Sequence, residues 1–421
     1  MIAISVALGV ALLPGGPTAN AGGTGGPPAS YATQGEAGTG LPPLPISVPE
    51  GASRRAKIRW SDLDPSHAWA KAAINFVGED HSWMRDFAAN PNGSYPFNPD
   101  MIETRKYFAR TAVKAFAPDA VIDPQIQFPD LDPTQSFYKW ANIAVQQGWM
   151  RRADDGRFMP DKPVTMIAVH RLLVLALGLR STAAHLNGLQ TKDGVEIHTS
   201  KTFGTTMLGM RLGLRYPSSG PEFDVLPSTP LPRAQVAYSL YRAKTLVSYA
   251  VPNLREEYDD AVLPRMGAAR QAIVEWGLRY VGYPYVWAGE WGFDSPPPAA
   301  FGGQPIPGFD CSGWAWWALR ADDDVWDVSP PRPYEGWALP QRSSSDMARI
   351  GAVRWNDLKP GDLAFYDGND DGTVDHVDVY VGNDFALDSS TSVAGVTLMY
   401  VGPGSWYREH FVHGRQLITK R

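Results

Sequence analysis

The chain of 421 residues contains a single cysteine, Cys311, in the segment 309–314 (FDCSGW). This segment follows a loop rich in proline and glycine, and it opens an apolar run that is typical of a helix. A thiol at the start of a helix faces unpaired backbone N–H groups and the positive end of the helix dipole, which lower its pKa. The pattern predicts a nucleophile; the alternative is a buried structural cysteine that packs like a small apolar side chain.

A histidine and an aspartate downstream of Cys311 could complete a catalytic group. His376 opens the segment 376–382 (HVDVYVG), whose alternating apolar residues and final glycine indicate a strand. Asp388 lies in the next strand-like run, 385–389 (FALDS). A cysteine nucleophile needs a base within hydrogen-bond reach, and the base needs a third group that fixes its tautomer. We therefore expect a strand to present His376 to the start of the Cys311 helix, although a lone strand histidine is often structural.

The C-terminal part of the chain, 264–421, resembles the NlpC/P60 family of cell-wall cysteine peptidases. The similar segments follow one another in the order of the family: 282–289 (GYPYVWAG), 309–313 (FDCSG), 339–344 (LPQRSS), 358–366 (LKPGDLAFY), 375–382 (DHVDVYVG) and 386–389 (ALDS). The resemblance implies a papain-like α+β fold. It also implies hydrolysis of a peptidoglycan stem-peptide bond, such as the D-γ-glutamyl–diaminopimelate bond, without a required cofactor.

The resemblance assigns roles to individual residues. It implies Cys311 as nucleophile, His376 as base and later acid, and Asp388 as orienting group, with the Cys311 backbone N–H in the oxyanion hole. Tyr285 matches the family tyrosine whose hydroxyl lies beside the thiol. Asp310 and Ser312 match positions that bind the amino end of the peptide, and helix capping is an alternative role for both.

Three features depart from the family pattern. Ala288 replaces the first glycine of a Gly-Gly pair, and Asp378 replaces a residue that is usually small on the histidine strand. Neither change removes a catalytic group. The segment 290–308 is longer than the usual connection, and we expect it to form an extra wall of the cleft, which affects substrate choice more than chemistry.

The loop before the histidine strand has the oxygen spacing of a calcium loop. Asp367, Asn369, Asp371, Asp375 and Asp378 occupy loop positions 1, 3, 5, 9 and 12, with a glycine at position 6. The alternative is a polar hairpin turn in which the same residue types serve turn geometry. The spacing predicts a structural calcium ion that braces the strand of His376.

Composition limits the class of protein and its location. The formal net charge of −6 gives no general basic field, so the chain is not expected to bind nucleic acid. Residues 1–21 combine a short apolar run with a small-residue cleavage site, which predicts a secretory signal peptide, and 22–53 form a linker rich in glycine and proline. No other segment predicts a membrane span, so we expect a secreted, cell-wall-associated protein.

Residues 54–251 contain a diverged internal repeat. The segment 61–65 (SDLDP) recurs at 129–133 (PDLDP). In each copy a proline and five further residues precede a predicted helix start, at Arg105, Met166 and Arg233. The predicted units, of which the third is degraded, are 54–118, 119–182 and 183–251.

The repeats resemble S-layer homology (SLH) repeats. In that family, three copies form an all-α, pseudo-threefold domain that binds secondary cell-wall polymer, and helix-start arginines are among the ligand contacts. The resemblance implies that Arg105 and Arg233 are exposed and bind an acidic polymer, because a guanidinium and free helix N–H groups converge on one anion. A plain surface arginine is the alternative for each, and Met166 replaces the middle arginine.

Taken together, the sequence predicts a secreted peptidoglycan peptidase that is tethered to the wall by its N-terminal repeats. One alternative is an N-acetylmuramoyl-L-alanine amidase on a related papain-like fold. The other is a structural wall protein whose catalytic domain has lost activity. The presence of Cys311, His376 and Asp388 together speaks against the second alternative.

Overall fold

The computed structural model describes residues 58–217, 223–292, 307–321 and 332–418. The predicted signal peptide and linker, 1–53, lie outside these ranges. Among the described residues, no helix combines the length and the apolar character that a bilayer crossing requires.

The first part of the described chain, 58–263, is built from helices. It opens with a 3₁₀ turn (Pro65–Ala70), which runs into α1 (Lys71–Ile74) and a π-helical turn (Asn75–Asp80). The helices that follow are α2 (Arg105–Phe116), α3 (Tyr138–Gln146), α4 (Met166–Ala176), α5 (Arg180–Asn187), α6 (Phe203–Arg211), α7 (Arg233–Lys244) and α8 (Ala250–Tyr258). The predicted helix starts at Arg105, Met166 and Arg233 are confirmed.

The segments before these three helix starts meet one another. Isolated bridges join Ile102 to Pro232, Thr104 to Pro163, and Thr165 to Pro230. Each segment thus pairs with both of the others, which is the contact pattern of a pseudo-threefold arrangement.

The first two repeats also share one contact between an aspartate side chain and the backbone. The Asp62 carboxylate accepts hydrogen bonds from the backbone N–H groups of Phe97 and Asn98, at 3.0 and 2.7 Å. Asp130 does the same, at 2.8 and 2.7 Å, for the backbone N–H groups of 158 and 159. The recurring Asp-Leu-Asp-Pro segment therefore has the same structural task in both copies.

The C-terminal part is an α+β unit around one antiparallel sheet. Its helices are α9 (Ala268–Leu278), α10 (Cys311–Leu319), α11 (Ser344–Ala348) and α12 (Trp406–Glu409), with a 3₁₀ turn at Trp355–Asp357. A short pair, β1 (Glu290–Trp291) and β2 (Gly308–Phe309), precedes α10. The sheet strands are β3 (Leu363–Tyr366), β4 (His376–Gly382), β5 (Phe385–Ser390), β6 (Gly395–Tyr400) and β7 (Phe411–Arg415), in the order β6-β5-β4-β3-β7.

Helix α10 packs against strands β4 and β5, where the predicted base and orienting residue lie. Its side chains are buried all round, as expected for a helix that is apolar on every face. The Trp314 indole N–H donates to the Leu387 carbonyl oxygen at 3.1 Å, which ties α10 to β5. The α+β architecture expected for this part is confirmed, and it fixes the start of α10 relative to β4 and β5.

The helical part packs directly on the sheet. The Tyr258 hydroxyl, at the end of α8, donates to the Leu398 carbonyl oxygen of β6 at 2.9 Å. Buried Arg211, at the end of α6, contacts Met399 of β6 and pairs with Glu257 at 2.6 Å. Gly282 has a φ of +95°, and a Cβ there would lie 2.8 Å from the Thr206 methyl group. The two parts therefore share one apolar core.

Candidate active site

Cys311 is the first residue of helix α10 and is fully buried. Asp310 caps the helix, because its carboxylate accepts a hydrogen bond from the Gly313 backbone N–H at 2.5 Å. The thiol hydrogen-bonds to the His376 imidazole, and the Val377 backbone N–H also points at the sulfur. The start of α10 therefore holds the only cysteine of the chain against the first residues of β4.

His376 and Asp388 lie on the adjacent strands β4 and β5, as expected. The His376 Nε2 atom is 3.0 Å from Asp388 Oδ1, and both residues are fully buried. The opposite oxygen, Asp388 Oδ2, accepts a hydrogen bond from the Tyr407 hydroxyl at 2.8 Å. Because Nε2 faces the carboxylate, Nδ1 is the ring nitrogen left to exchange a proton with the Cys311 thiol. The structure thus brings the three predicted catalytic residues together in the order thiol, imidazole, carboxylate.

Asp378 is part of this same group, which the sequence interpretation missed. Its Oδ1 atom is 3.1 Å from His376 Nε2, and the residue is fully buried. The interpretation of Asp378 as the twelfth position of a calcium loop is wrong, because its side chain lies at the imidazole rather than in the loop. Side chains two residues apart on a strand share a face, so the alternation of β4 already placed Asp378 beside His376.

Burial and charge shift the pKa values of the group in different directions. Burial raises the pKa of the Cys311 thiol, and the hydrogen bond with His376 opposes that rise. Burial by itself would lower the pKa of His376, but the carboxylates of Asp378 and Asp388 and the contact with Cys311 hold it well above its ordinary value. The imidazolium form of His376 is therefore stabilised next to the thiol.

The two carboxyl groups behave differently. Burial, and then the charge of Asp388, raise the pKa of Asp378. Burial would also raise the pKa of Asp388, but its hydrogen bond with His376 and the charge of His376 lower it. The pKa shifts of the two carboxyl groups therefore run in opposite directions, so that the ionised form is favoured at Asp388 and the protonated form at Asp378.

Arg342 organises the polar groups next to the nucleophile. Its guanidinium forms two hydrogen bonds of 3.1 Å with the Asp310 carboxylate and one of 2.6 Å with Glu290. It also donates to the Ser312 hydroxyl at 2.8 Å. Arg342 lies in the segment 339–344, and the sequence pattern alone predicts no role for this residue. Asp310 caps α10 and is fixed by Arg342, so its capping and its predicted binding role are compatible.

Tyr285 places a buried hydroxyl group near the thiol. Among the described residues, this hydroxyl has no hydrogen-bond partner. Burial raises its pKa, and the nearby charges of Cys311 and Asp310 raise it further. A neutral O–H donor that is not engaged within the described chain is suited to contact a substrate oxygen.

The expected exposure of Arg233 is wrong. Its side chain is fully buried, 2.7 Å from Glu103 and 2.7 Å from Asp86. Its remaining donors reach the carbonyl oxygens of Phe97 and Met84. Two carboxylates of the first repeat, Asp86 and Glu103, therefore form ion pairs with Arg233, which begins helix α7.

Arg105 is not exposed as expected either, because it is half-buried between the first two repeats. Its guanidinium donates to the carbonyl oxygens of Phe158 and Arg151, both at 2.7 Å. These contacts join the start of α2 to the second repeat.

The loop 367–375 forms a compact turn. The Asp367 carboxylate accepts hydrogen bonds from the backbone N–H groups of Asp371 and Gly372, at 3.2 and 2.7 Å, and Asp375 accepts one from Gly368 at 3.0 Å. Burial raises the pKa of Asp375, and the neighbouring charges of Asp367 and Asp371 add to the rise. Asn369 lies in the same turn, where its side-chain oxygen accepts from the Asp371 N–H.

The expected wall over the cleft falls largely outside the described residues. Of the segment 290–308, only its two ends are described, where β1 and β2 pair as antiparallel strands.

This arrangement has the parts needed for nucleophilic attack on a carbonyl group. It combines a thiol at a helix N-terminus, an imidazole hydrogen-bonded to that thiol, and a carboxylate that fixes the far ring nitrogen. It also has the Tyr285 hydroxyl near the thiol, and beside the thiol the side chains of Asp310 and Ser312, both held by hydrogen bonds to Arg342.

Comparison with known proteins identifies similar domains. Residues 282–415 match the model of the NlpC/P60 family. Murein DD-endopeptidase MepH of Escherichia coli (strain K12) is 26% identical over 165 residues, which cover 38% of this chain and 51% of that protein. The γ-D-glutamyl-L-lysine dipeptidyl-peptidase of Bacillus subtilis (strain 168) is 29% identical over 129 residues, or 30% of this chain and 34% of that protein. The chain thus spans about half or less of the length of these relatives.

Among solved structures, the peptidoglycan hydrolase RipB from Mycobacterium tuberculosis is 27% identical, and the match covers 37% of this chain and 70% of that one. The TM-score of this match is 0.26. The family match covers the segments that carry the thiol, the imidazole and the carboxylate, and it identifies residues 282–415 as an NlpC/P60 domain.

Proposed function

We propose that this protein is a cysteine peptidase that hydrolyses a bond in the stem peptide of peptidoglycan. The observation that carries the proposal is the contact of the Cys311 thiol with His376, whose far nitrogen lies 3.0 Å from Asp388. The family match and the names of the relatives, a murein DD-endopeptidase and a γ-D-glutamyl-L-lysine dipeptidyl-peptidase, support peptidoglycan as the substrate.

The chemistry follows from the geometry. His376 accepts the Cys311 proton, and the thiolate sulfur attacks the carbonyl carbon of the scissile bond. The helix N-terminus stabilises the negative charge that develops on the carbonyl oxygen. His376 then gives its proton to the leaving amine, which leaves a thioester on Cys311. A water molecule, deprotonated by His376, hydrolyses this thioester and restores the thiol.

Tyr285, Asp310 and Ser312 are the proposed substrate-binding groups. The Tyr285 hydroxyl is a donor near the thiol, and Asp310 carries negative charge suited to the amino end of a peptide. Arg342 orders Asp310 and Ser312 by hydrogen bonds to both. Loss of this order is expected to raise KM more than it lowers kcat.

Mass spectrometry of digested peptidoglycan tests the function and chooses the bond. Cleavage within the stem, at the D-γ-glutamyl–diaminopimelate bond, leaves a dipeptide on the muramic acid and releases a fragment with a new amino terminus. The alternative, an N-acetylmuramoyl-L-alanine amidase, releases the intact stem peptide. Unchanged peptidoglycan after incubation with well-folded protein would favour a structural wall protein and would end the peptidase proposal.

We further propose that the protein is secreted and that its N-terminal helical part binds an acidic secondary cell-wall polymer. The proposal is supported by the internal repeat and by the mutual pairing of the segments that precede α2, α4 and α7. Arg105 is its remaining arginine contact, because Arg105 is half-buried and hydrogen-bonded to backbone carbonyl oxygens, whereas Arg233 is fully buried and paired with two carboxylates. Co-sedimentation of the full chain with cell walls should fall as salt rises. Sedimentation that persists after the polymer is stripped would leave the repeats with a packing role.

Calcium binding by the loop 367–375 is also a proposal. Without Asp378, it rests on Asp367, Asn369, Asp371 and Asp375, whose mutual repulsion a cation would relieve. Millimolar calcium should raise the melting temperature of the full chain, and Asp371→Ala should remove that shift. An equal melting temperature with and without calcium would leave the loop as a turn.

A further inference from the structure

We propose that Asp378 is a second positioning residue for His376, and that it acts jointly with Asp388 through one shared proton. The His376 Nε2 atom lies 3.1 Å from Asp378 Oδ1 and 3.0 Å from Asp388 Oδ1. All three side chains are fully buried. The imidazole therefore has two carboxyl groups at its far nitrogen, where the sequence predicts one.

The sheet register explains why the two carboxyl groups meet. Strands β4 and β5 are antiparallel, and Val379 pairs with Leu387. One further step in the same register sets Asp378 opposite Asp388, with both side chains on the face of His376. On the other side of β4, Asp378 pairs with Ala364 of β3, whose short side chain leaves room for a carboxyl group.

Two ionised carboxylates in this position would repel each other strongly. Directly opposed like charges destabilise neighbouring strands, and burial removes the water that would screen them. The Asp378 carboxyl lies against the Asp388 carboxyl and the Tyr366 hydroxyl in a fully buried site, which is a costly place for a second anion. A proton on Asp378 removes one charge and supplies a donor toward Asp388. The raised pKa of Asp378, caused by burial and by the charge of Asp388, agrees with this assignment.

The groups that face the pair come from every element around it. They are Cys311 on α10, across the imidazole; Tyr285, on the segment before β1; Tyr366 on β3; His376 on β4; and Tyr407 on α12. Among them, His376 is the one that carries positive charge. The two carboxyl groups with one proton thus present a single negative charge to the imidazolium, and they hold the ring from two directions. Either carboxyl group alone can keep Nε2 protonated, so each partly replaces the other.

A double-substitution cycle tests this joint action. The variants are Asp378→Asn, Asp388→Asn and their combination, because asparagine keeps the volume while it removes the charge. The first readout is the rate at which iodoacetamide alkylates Cys311, followed by intact mass, since the chain has no other cysteine. The second readout is kcat/KM for peptidoglycan hydrolysis, and only this one rests on the proposed function.

Each variant slows the alkylation of Cys311 by some factor. We expect the factor of the double variant to be about ten times the product of the two single factors, because the effects of coupled partners are not additive. A double loss equal to that product would overturn the proposal. If the chain does not hydrolyse peptidoglycan but the alkylation cycle shows coupling, the proposed function fails and this inference stands. If hydrolysis depends on Cys311 but the alkylation-rate loss of the double variant equals the product of the two single losses, the proposed function stands and this inference fails.

Two further measurements separate positioning from folding. Asp362→Asn changes another fully buried carboxylate, which pairs with Arg270 away from the site, and it should leave the alkylation rate unchanged. If the double variant does not fold, the alkylation rate of wild type and Asp378→Asn is compared across pH. The wild-type curve should contain one ionisation that the variant lacks, and superimposable curves would overturn the proposal.

Discussion

The side chains of Cys311, His376 and Asp388 are fully buried, so the identity of each charged neighbour has a large effect on them. Cys311, His376 and Asp388 form one line of hydrogen bonds, in which Asp378 also contacts His376 and the Tyr407 hydroxyl donates to Asp388. A hydrogen bond in such a site is stronger than in water, and an unpaired charge there costs more. Substitution of a residue in this line of hydrogen bonds should therefore reduce activity more when the residue lies nearer to the reacting sulfur.

Substitution of the base should cost more activity than substitution of the orienting residue. His376→Ala removes the proton acceptor, whereas Asp388→Ala leaves a base that Asp378 and water can still orient. We expect kcat/KM of the Asp388 variant to exceed that of the His376 variant by roughly tenfold or more. Steady-state kinetics on soluble muropeptides measure the ratio. Wild-type activity in the Asp388 variant would show that Asp388 does not orient the base.

The pH profile should be displaced toward alkaline pH. Burial raises the pKa of the Cys311 thiol, so the thiolate forms only as pH rises. The carboxylates raise the pKa of His376 against burial, so its imidazolium persists in the same range. We expect the acidic limb of kcat/KM to reach half-maximum above pH 7, and Asp388→Asn to move the alkaline limb to lower pH. Half-maximal activity well below neutral pH would contradict these shifts.

At the scale of elements, the local sequence pattern predicts the helix and the strand that carry the catalytic residues. Contacts between residues far apart in the sequence depend on packing and are not predicted. The helix that begins at Cys311 and the strand that begins at His376 follow from apolar periodicity and turn residues within a few positions. The loop spacing predicts Asp378 as a metal ligand, whereas the alternation of strand β4 places it beside His376. The partners of Arg233 could not be predicted, because Glu103 lies 130 positions away and its position depends on how the repeats pack.

Arg233 should stabilise the helical part rather than bind a ligand. Arg233→Met leaves Glu103 and Asp86 buried without this partner, and removal of one partner of a buried ion pair costs roughly 3–5 kcal/mol. Denaturant unfolding of the full chain measures the loss. Lys139→Met, on an exposed position of α3, is the matched control and should change the unfolding free energy by less than about 0.5 kcal/mol. Equal effects of the two substitutions would contradict the buried network.

Substitution of Ala288 by glycine should stabilise the folded chain. Ala288 is exposed and has a φ of +57°, in the left-handed region that favours glycine. Ala288→Gly should raise the unfolding free energy by about 1 kcal/mol, since an alanine in the left-handed region costs about this much. A lower melting temperature of the glycine variant would show that this backbone strain is absent.

At the scale of the whole molecule, the helical part and the NlpC/P60 domain form one packed body. Tyr258 and Arg211 contact strand β6, and Thr206 packs closely on the backbone of Gly282 just before Tyr285. The helical part is thus a support for the strand and turn that flank the active site, besides its proposed binding role. For this reason the full chain, rather than either part, is the form in which activity should be measured.

The most direct test of the account is the digestion of purified peptidoglycan by the full chain and by Cys311→Ala, with products identified by mass. We predict stem-peptide fragments with new amino termini from wild type, and at least several hundredfold slower release by the variant, because the covalent nucleophile is gone. Equal melting temperatures of the two proteins show that the fold is kept. Comparable product release by a folded Cys311→Ala variant would contradict the thiol mechanism.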